Sequence, residues 1–522
     1  MEYGWLSVVP PIIAITAALI TKEVLLSLFL GIFVGAWILA DYSIINAFEK
    51  TFSIGFAGMS DPTWNIPILA FLFLLGGLTA LVSASGGSRA FGEWALARVK
   101  TRVGAQLVTM LLGIIIFIDD YFNSLAVGQV ARPITDRHHV SRAKLAYVID
   151  STAAPVCIIA PLSSWGAYII TVIAGQLKEV NVTGIEPLSA FVAMIPMNLY
   201  AILALILVFA IAVTNVEFGS MAKEEKKALK TGKLYDQSKG EPPGSAEVEV
   251  STEGAEKGKV GDLVLPIVGL IFFTTLAMIY TGGYFGEDGG SLMSAFENTS
   301  VAMSLVYGAA LAIIFTALLY LPRKLMKPRE FIPALLQGMQ SMVTAVVILV
   351  MAWAIGGVIG ELGTGEFLAS RLSDSLPIVL LPALAFILSG IMAFATGTSW
   401  GTFGIMLPIA APMAAAAGTG TDIILMSMAA VLAGAVYGDH VSPISDTTIL
   451  SSTGAACHHI DHVRTQLPYA TLVAVISVLG YIVMAATNNV LIALVLSIAV
   501  LIGAVMVLRQ SKFTVDQEMH LK

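Results

Sequence analysis

Apolar runs of membrane-spanning length recur throughout this chain, for example Val24–Ala40, Ile66–Val82, Val264–Ile279, Met303–Leu321 and Val490–Leu508. Each is near the ~20 residues that a helix needs to cross a ~30 Å hydrocarbon core. The composition agrees: of 522 residues, 57% are hydrophobic and 12% charged, where an ordinary globular chain is about a quarter charged. Mean hydropathy is +0.86. The chain is therefore expected to fold as an all-α polytopic protein with the lipid bilayer as its solvent. Its start, MEYGWLSVVPP, lacks the basic segment of a cleavable signal, so the first span is expected to be retained.

Cys157 and Cys457, the only cysteines, fall in or beside apolar segments of different halves and read as two small packed thiols. The net charge of −7 points to no nucleic-acid partner, because the basic residues sit in short loops rather than on one face. Those loops set the topology, since Lys and Arg mark the cytoplasmic side. Basic loops occur at 89–102, 132–144 and 323–329; Arg464 lies in 457–467, and Arg509 and Lys512 follow the last span. Loop 282–298 carries Glu287, Asp288 and Glu297 with no basic residue, and is placed outside.

Both 89–102 and 132–144 read as cytoplasmic, yet about 30 largely apolar residues separate them. A re-entrant hairpin resolves this and puts Asp119, Asp120, Asn123 and Ser124 at its tip, where protein or a watered cavity can cover them. Carried through the chain, that choice gives eleven crossings and two hairpins, the N-terminus outside and the C-terminus inside. The first inverted repeat is 1–213, with hairpin 103–134 and broken helix 144–178. The second is 261–487, with hairpin 376–419 and broken helix 423–456, and 488–522 adds a span and a cytoplasmic tail. Between the repeats, 214–260 is polar and rich in Gly, Pro and Glu; it reads as a flexible cytoplasmic linker.

The repeat shows in the residues themselves. STAAPVCIIAPLSSWGAY (151–168) and AGAVYGDHVSPISDTTILSS (433–452) are both interrupted by polar residues, and a shift of 282 brings Pro161 onto Pro443, Ser163 onto Ser445 and Ser164 onto Asp446. Gly76–Gly77 recurs as Gly356–Gly357. Paired, interrupted membrane segments in two halves point to a transporter's binding site.

Ionisable residues at membrane depth are costly and mark function. Asp119 and Asp120 are adjacent carboxylates, which disfavour joint ionisation unless a cation binds between them; one aspartate could instead cap the second hairpin arm. Asp439, His440 and Asp446 form a second cluster, with Ser442, Ser445, Thr447 and Thr448 supplying the oxygen ligands that hard cations prefer. Asp439 could instead be an N-cap on the second half-helix. His440 could tune transport to pH or simply be a satisfied buried histidine. Ser163 and Ser164 occupy the first break, and Thr398, Ser399 and Thr402 the second hairpin tip. Asp120, Asn123, Ser445 and Asp446 are the expected Na+ ligands; Asp119, Asp120 and Asp446 lead as cation and proton carriers. Asp150 is expected in an ion pair with an Arg or Lys. His138, His139, His458, His459 and His462 read as loop surface residues. Gly397-Thr398-Ser399-Trp400-Gly401 matches a nucleophile elbow, but lies between apolar helical arms instead of strand and helix.

FIDDYFNSL, DSTAAPVCIIAPLSSWGAY, ATGTSWGTFGIMLPIA and YGDHVSPISDTTILSSTGAACHHIDHVRTQLPYA together resemble the NhaC-type Na+/H+ antiporter family of the ion transporter superfamily. The likeness runs over nearly the whole chain except 214–260. It implies an inner-membrane secondary transporter with scaffold and transport domains, elevator-like movement and a homodimer. Na+ is then expected at Asn123–Ser124, Ser163–Ser164, Thr398–Ser399 and Ser445–Asp446. Na+ and H+ are the expected transported or coupling ions, with no cofactor and no enzymatic activity. The alternatives are a Na+-coupled carrier of a small organic acid or amino acid, a channel, and the protease that the elbow motif suggests.

Overall fold

The computed structural model describes residues 3–21, 23–117, 120–161, 163–182, 184–245, 255–286, 292–364, 367, 378–416 and 420–511. Within them the protein is helical from end to end. Among the described residues six helices are long and apolar enough to cross a bilayer: Asn65–Ala84, Gly261–Thr281, Val301–Tyr320, Thr421–Val441, His459–Thr487 and Val490–Arg509. Two bent pairs raise the number to as many as eight: Leu25–Leu39 with Ile44–Ala57, bent by 120°, and Pro187–Met197 with Leu199–Thr214, bent by 47°. Segment 144–178, expected as one broken helix, is divided between Arg142–Thr152, Ala154–Cys157 and Ser164–Glu179, and the stretch 331–360 between Pro328–Ser341 and Val343–Glu361.

Two helical hairpins stand where polar residues interrupt the apolar pattern. In the first, Arg102–Ile115 packs against Asp120–Arg137; Thr101 starts the first arm by accepting from the Gly104 amide at 3.0 Å. In the second, Leu381–Thr396 packs against Ser399–Ala416. Gly397 ends its first arm with φ +70°, a left-handed backbone that favours glycine.

The broken helices complete the centre. Ser163 caps Ser164–Glu179 by accepting from the Gly166 amide at 2.9 Å. Ser445 caps Asp446–Gly454 by accepting from Thr448 at 3.3 Å. The two serines brought together by the 282-residue shift thus act alike, each restarting a helix after a proline-containing break.

Close glycine crossings bind these elements, as expected where lipid gives helices no hydrophobic reason to associate. A Cβ on Gly438 would lie 2.0 Å from the Gly390 carbonyl oxygen, and one on Gly434 2.2 Å from that of Phe386, so Thr421–Val441 rides directly on Leu381–Thr396. Gly128 and Gly454 make the same approach between the first hairpin and the second broken helix. The double glycines diverge: Gly76 meets the Gly338 carbonyl, whereas Gly356 has nothing within 4 Å.

Residues 214–245 differ from the unpacked linker that composition suggests. Met221–Thr231 is helical, and Glu217 and Glu225 are buried at 1% and 0% exposure. Lys144 Nζ meets Glu217 Oε1 at 2.7 Å and Tyr469 donates to Oε2 at 2.7 Å. Glu225 pairs with Arg102 and accepts from the Ser141 amide at 2.8 Å. Partners in the helical body, invisible in local composition, repay the ordering of this polar segment. Residues 246–254 lie outside the described residues.

Candidate functional site

Both hairpin tips and both helix breaks converge on one polar centre. Tyr121, one residue into the second arm of the first hairpin, donates its hydroxyl to Asp446 Oδ2 at the second break. The other Asp446 oxygen accepts from the Thr447 amide at 2.8 Å. Asp446 leads the helix Asp446–Gly454, so its negative charge sits where the helix dipole favours it. It is the carboxylate on a cavity of about 420 Å³ whose walls include Trp64, Tyr121, Trp353, Trp400 and the tip residues Gly397 and Thr398.

Asp439 lies behind Asp446, 2% exposed near the end of Thr421–Val441. Its Oδ2 accepts from Ser399 at 2.8 Å, and Oδ1 has no hydrogen-bond partner among the described residues. Asp439 therefore ends one half-helix rather than starting the next, so Ser445 and not Asp439 is the cap. On the other flank, Trp165 donates from Nε1 to Asp120 Oδ1 at 2.9 Å, and its ring stands 5.7 Å from Trp400 and 5.6 Å from Phe403. An indole of the first half thus packs against the tip of the second hairpin.

The neutral candidates divide by role. Asn123 donates from Nδ2 to the carbonyls of Gly113 and Ile116, both at 2.6 Å, and of Thr152 at 3.1 Å. It closes the open end of the first hairpin arm, where carbonyls lack helical partners; its Oδ1 is buried with no partner among the described residues. Ser124 and Ser451 share a hydrogen bond of 3.1 Å. Thr402 donates to the Thr398 carbonyl at 3.0 Å. Ser442 donates to Phe394 O at 2.8 Å, tying the second break to the second hairpin. Ser445 and Thr447 lie 2.9 Å apart through their hydroxyls. Ser163 spends its hydroxyl on the Cys157 and Ala160 carbonyls at 2.6 and 2.8 Å. Asp119 and the side chain of Ser164 lie outside what the structure describes.

Three expectations are corrected. Among the described residues Asp150 pairs with neither Arg nor Lys: Ser451 donates to its Oδ1 at 3.1 Å, and His462 and Gln466 reach Oδ2 at 3.0 and 2.7 Å. His462 is fully buried and His459 nearly so, because Pro468 does not end the 29-residue helix His459–Thr487, whose first turns pack beneath the second break. His459 Nε2 meets the carbonyl of Pro443 at 2.8 Å inside that break. His440 is buried, with Tyr200 on Nδ1 at 2.7 Å and Ser151 on Nε2 at 3.3 Å. His139 is exposed and His138 half-buried.

Sequence reading missed Tyr121, Trp165 and the partners of Asp150. A single carboxylate within the otherwise uncharged run LAYVIDSTAAP was the available signal for the last. Ser399 donates to Asp439 and to the Ala435 carbonyl, and its turn joins two helices, so the strand–turn–helix context of a nucleophile elbow is missing.

Residues 156–486 match the Na+/H+ antiporter family. An uncharacterized protein of Haemophilus influenzae is 48% identical over 490 residues, 92% of this chain and 91% of that one. A malate-2H(+)/Na(+)-lactate antiporter of Bacillus subtilis is 37% identical over 139 residues, 26% of this chain and 28% of its own. The arginine/ornithine antiporter ArcD of Halobacterium salinarum is 38% identical over 112 residues, 21% of each chain. The crystal structure of the Alcanivorax borkumensis YdaH transporter covers 85% of this chain and 90% of its own at TM-score 0.34 and 13% identity, a likeness too distant to argue from. With its helical membrane architecture and a match across both breaks and the second hairpin, the chain belongs to the Na+/H+ antiporter family: a multi-pass membrane transporter, not an enzyme.

Proposed function

We propose that this protein exchanges Na+ for H+ across the cytoplasmic membrane, its two halves oppositely oriented and its basic loops and C-terminus facing the cytoplasm. The cation is seated at the polar centre, with Asp446 as its leading carboxylate and Asp439, Asp120, Ser399, Ser445 and broken-helix carbonyls completing the oxygen set. The observation that carries this reading is the half-buried Asp446 carboxylate, which faces a cavity walled by both halves. Carboxylates gathered at membrane depth are expensive unless they meet a cation or a proton. A seat shared by both hairpin tips and both breaks is also one that movement of these elements as a body would carry across the membrane.

The test is Na+ uptake into sealed vesicles driven by an imposed pH gradient. Wild type is expected to accumulate Na+, and Asp446→Ala to lose coupled uptake while purifying as folded protein. Normal uptake by that variant would remove Asp446 from the site.

One observation favours a second reading, a Na+-coupled carrier of a small organic acid or amino acid. At about 420 Å³ with tryptophan and tyrosine walls, the cavity has room for far more than one ion and falls within the range of small-molecule pockets. Stimulation of Na+ flux by such a solute would establish it.

A further inference from the structure

Asp150 lies outside the polar centre and is 1% exposed, with only uncharged donors and histidines around it. His462 Nε2 stands 3.0 Å from its Oδ2 and His440 Nε2 3.9 Å from the same atom. Among the described residues no lysine or arginine forms an ion pair with it; the nearby Lys144 is held by Glu217. The other titratable groups facing this cluster are Tyr200 on His440, the buried Tyr147 of the same helix, His459 at the head of the helix that carries His462, and Asp439 beside His440.

An ionised carboxylate buried to this degree requires a compensating charge. Among the described residues only an imidazole pairs with it, and an imidazole supplies that charge only by holding a proton. The Asp150–His462 pair is therefore electrically neutral with one proton aboard and carries a net negative charge without it.

That state is coupled to the polar centre by two bonded routes. Gln466 donates from Nε2 both to Asp150 Oδ2 and to the carbonyl of His440, the residue after Asp439. Ser451 donates to Asp150 Oδ1 and shares a bond with Ser124 near the first hairpin tip. A positive charge arriving at Asp439 and Asp446 disfavours the proton held by the buried Asp150–His462 pair, because charges in a poorly solvated interior interact over long distances.

We infer that the exchanged proton resides on the Asp150–His462 pair, apart from the cation-binding carboxylates, and that Na+ binding expels it to water. This rests on the antiporter reading above and deepens it. Competition between Na+ and H+ then acts through the electric field between two seats, without one carboxylate serving both.

The experiment is a Na+ jump on the purified protein in weakly buffered detergent, with a pH dye reading proton release and the thermal midpoint reading Na+ binding. Choline replaces Na+ in the control. Wild type is expected to release about one proton per bound Na+. Asp150→Asn and His462→Gln should keep the Na+-dependent rise in midpoint but lose at least four-fifths of the release. Asp446→Ala should lose both. Should Asp150→Asn and His462→Gln not fold, Ser451→Ala removes one donor from Asp150, and the pH profile of release should move. Undiminished release from the first two variants, or an unmoved profile in the third, overturns the inference. Wild type with neither a Na+-dependent midpoint nor release overturns the antiporter reading as well, whereas Na+ binding without release overturns only the proton seat.

Discussion

Tyr121 and Asp446 stand 325 residues apart in the chain, yet the phenol donates directly to the carboxylate. One belongs to the tip of the first hairpin and the other to the restart of the second broken helix, so the bond spans the two halves at the cavity wall. A hydrogen bond to a charged group contributes roughly 1.5–3 kcal/mol. Tyr121→Phe removes the phenol from Oδ2 and leaves the Thr447 amide on the other oxygen. The apparent affinity for Na+ in vesicle exchange should fall by about tenfold or more, with little change in folded yield.

Packing at the second hairpin gives a different prediction. Gly438→Val would force a side chain against the Gly390 carbonyl oxygen, which already lies 2.0 Å from where a Cβ would stand. Overpacking of this kind costs about 1–3 kcal/mol or more, and here the neighbour is backbone that cannot rotate away. The thermal midpoint of the purified protein should drop, while Gly360→Ala, with nothing within 4 Å, should leave it unchanged.

The polar segment between the halves is held by buried charge. Lys144 and Glu217 are 0% and 1% exposed, and Tyr469 completes the pair. Lys144→Met strands the glutamate, a loss of about 3–5 kcal/mol, and should lower the thermal midpoint sharply. The double variant Lys144→Met/Glu217→Gln should recover part of that loss, since the uncompensated charge goes with the second change.

What sequence made legible was local. The proline-containing breaks, the Gly397 turn and the Ser163/Ser445 correspondence each depend on a few neighbouring residues, and both serines cap helices in the structure. What it hid was tertiary. Asp150, His462 and Gln466 meet only because Arg142–Thr152 packs on His459–Thr487, and the composition of 214–245 gives no sign that Arg102 and Lys144 await its glutamates. The double glycines show the converse: Gly76–Gly77 and Gly356–Gly357 look alike, but only the first pair is pressed against another helix.

The central claim is exchange of Na+ for H+, and a Na+ pulse onto sealed, Na+-free vesicles holding the purified protein, with a pH dye inside, tests it most directly. Malate, lactate and amino acids are first withheld and then added. Alkalinisation of the lumen on Na+ alone is the expected result, because protons leave as Na+ enters down its gradient. A silent dye until an organic solute is supplied would contradict the claim and make this protein a solute carrier.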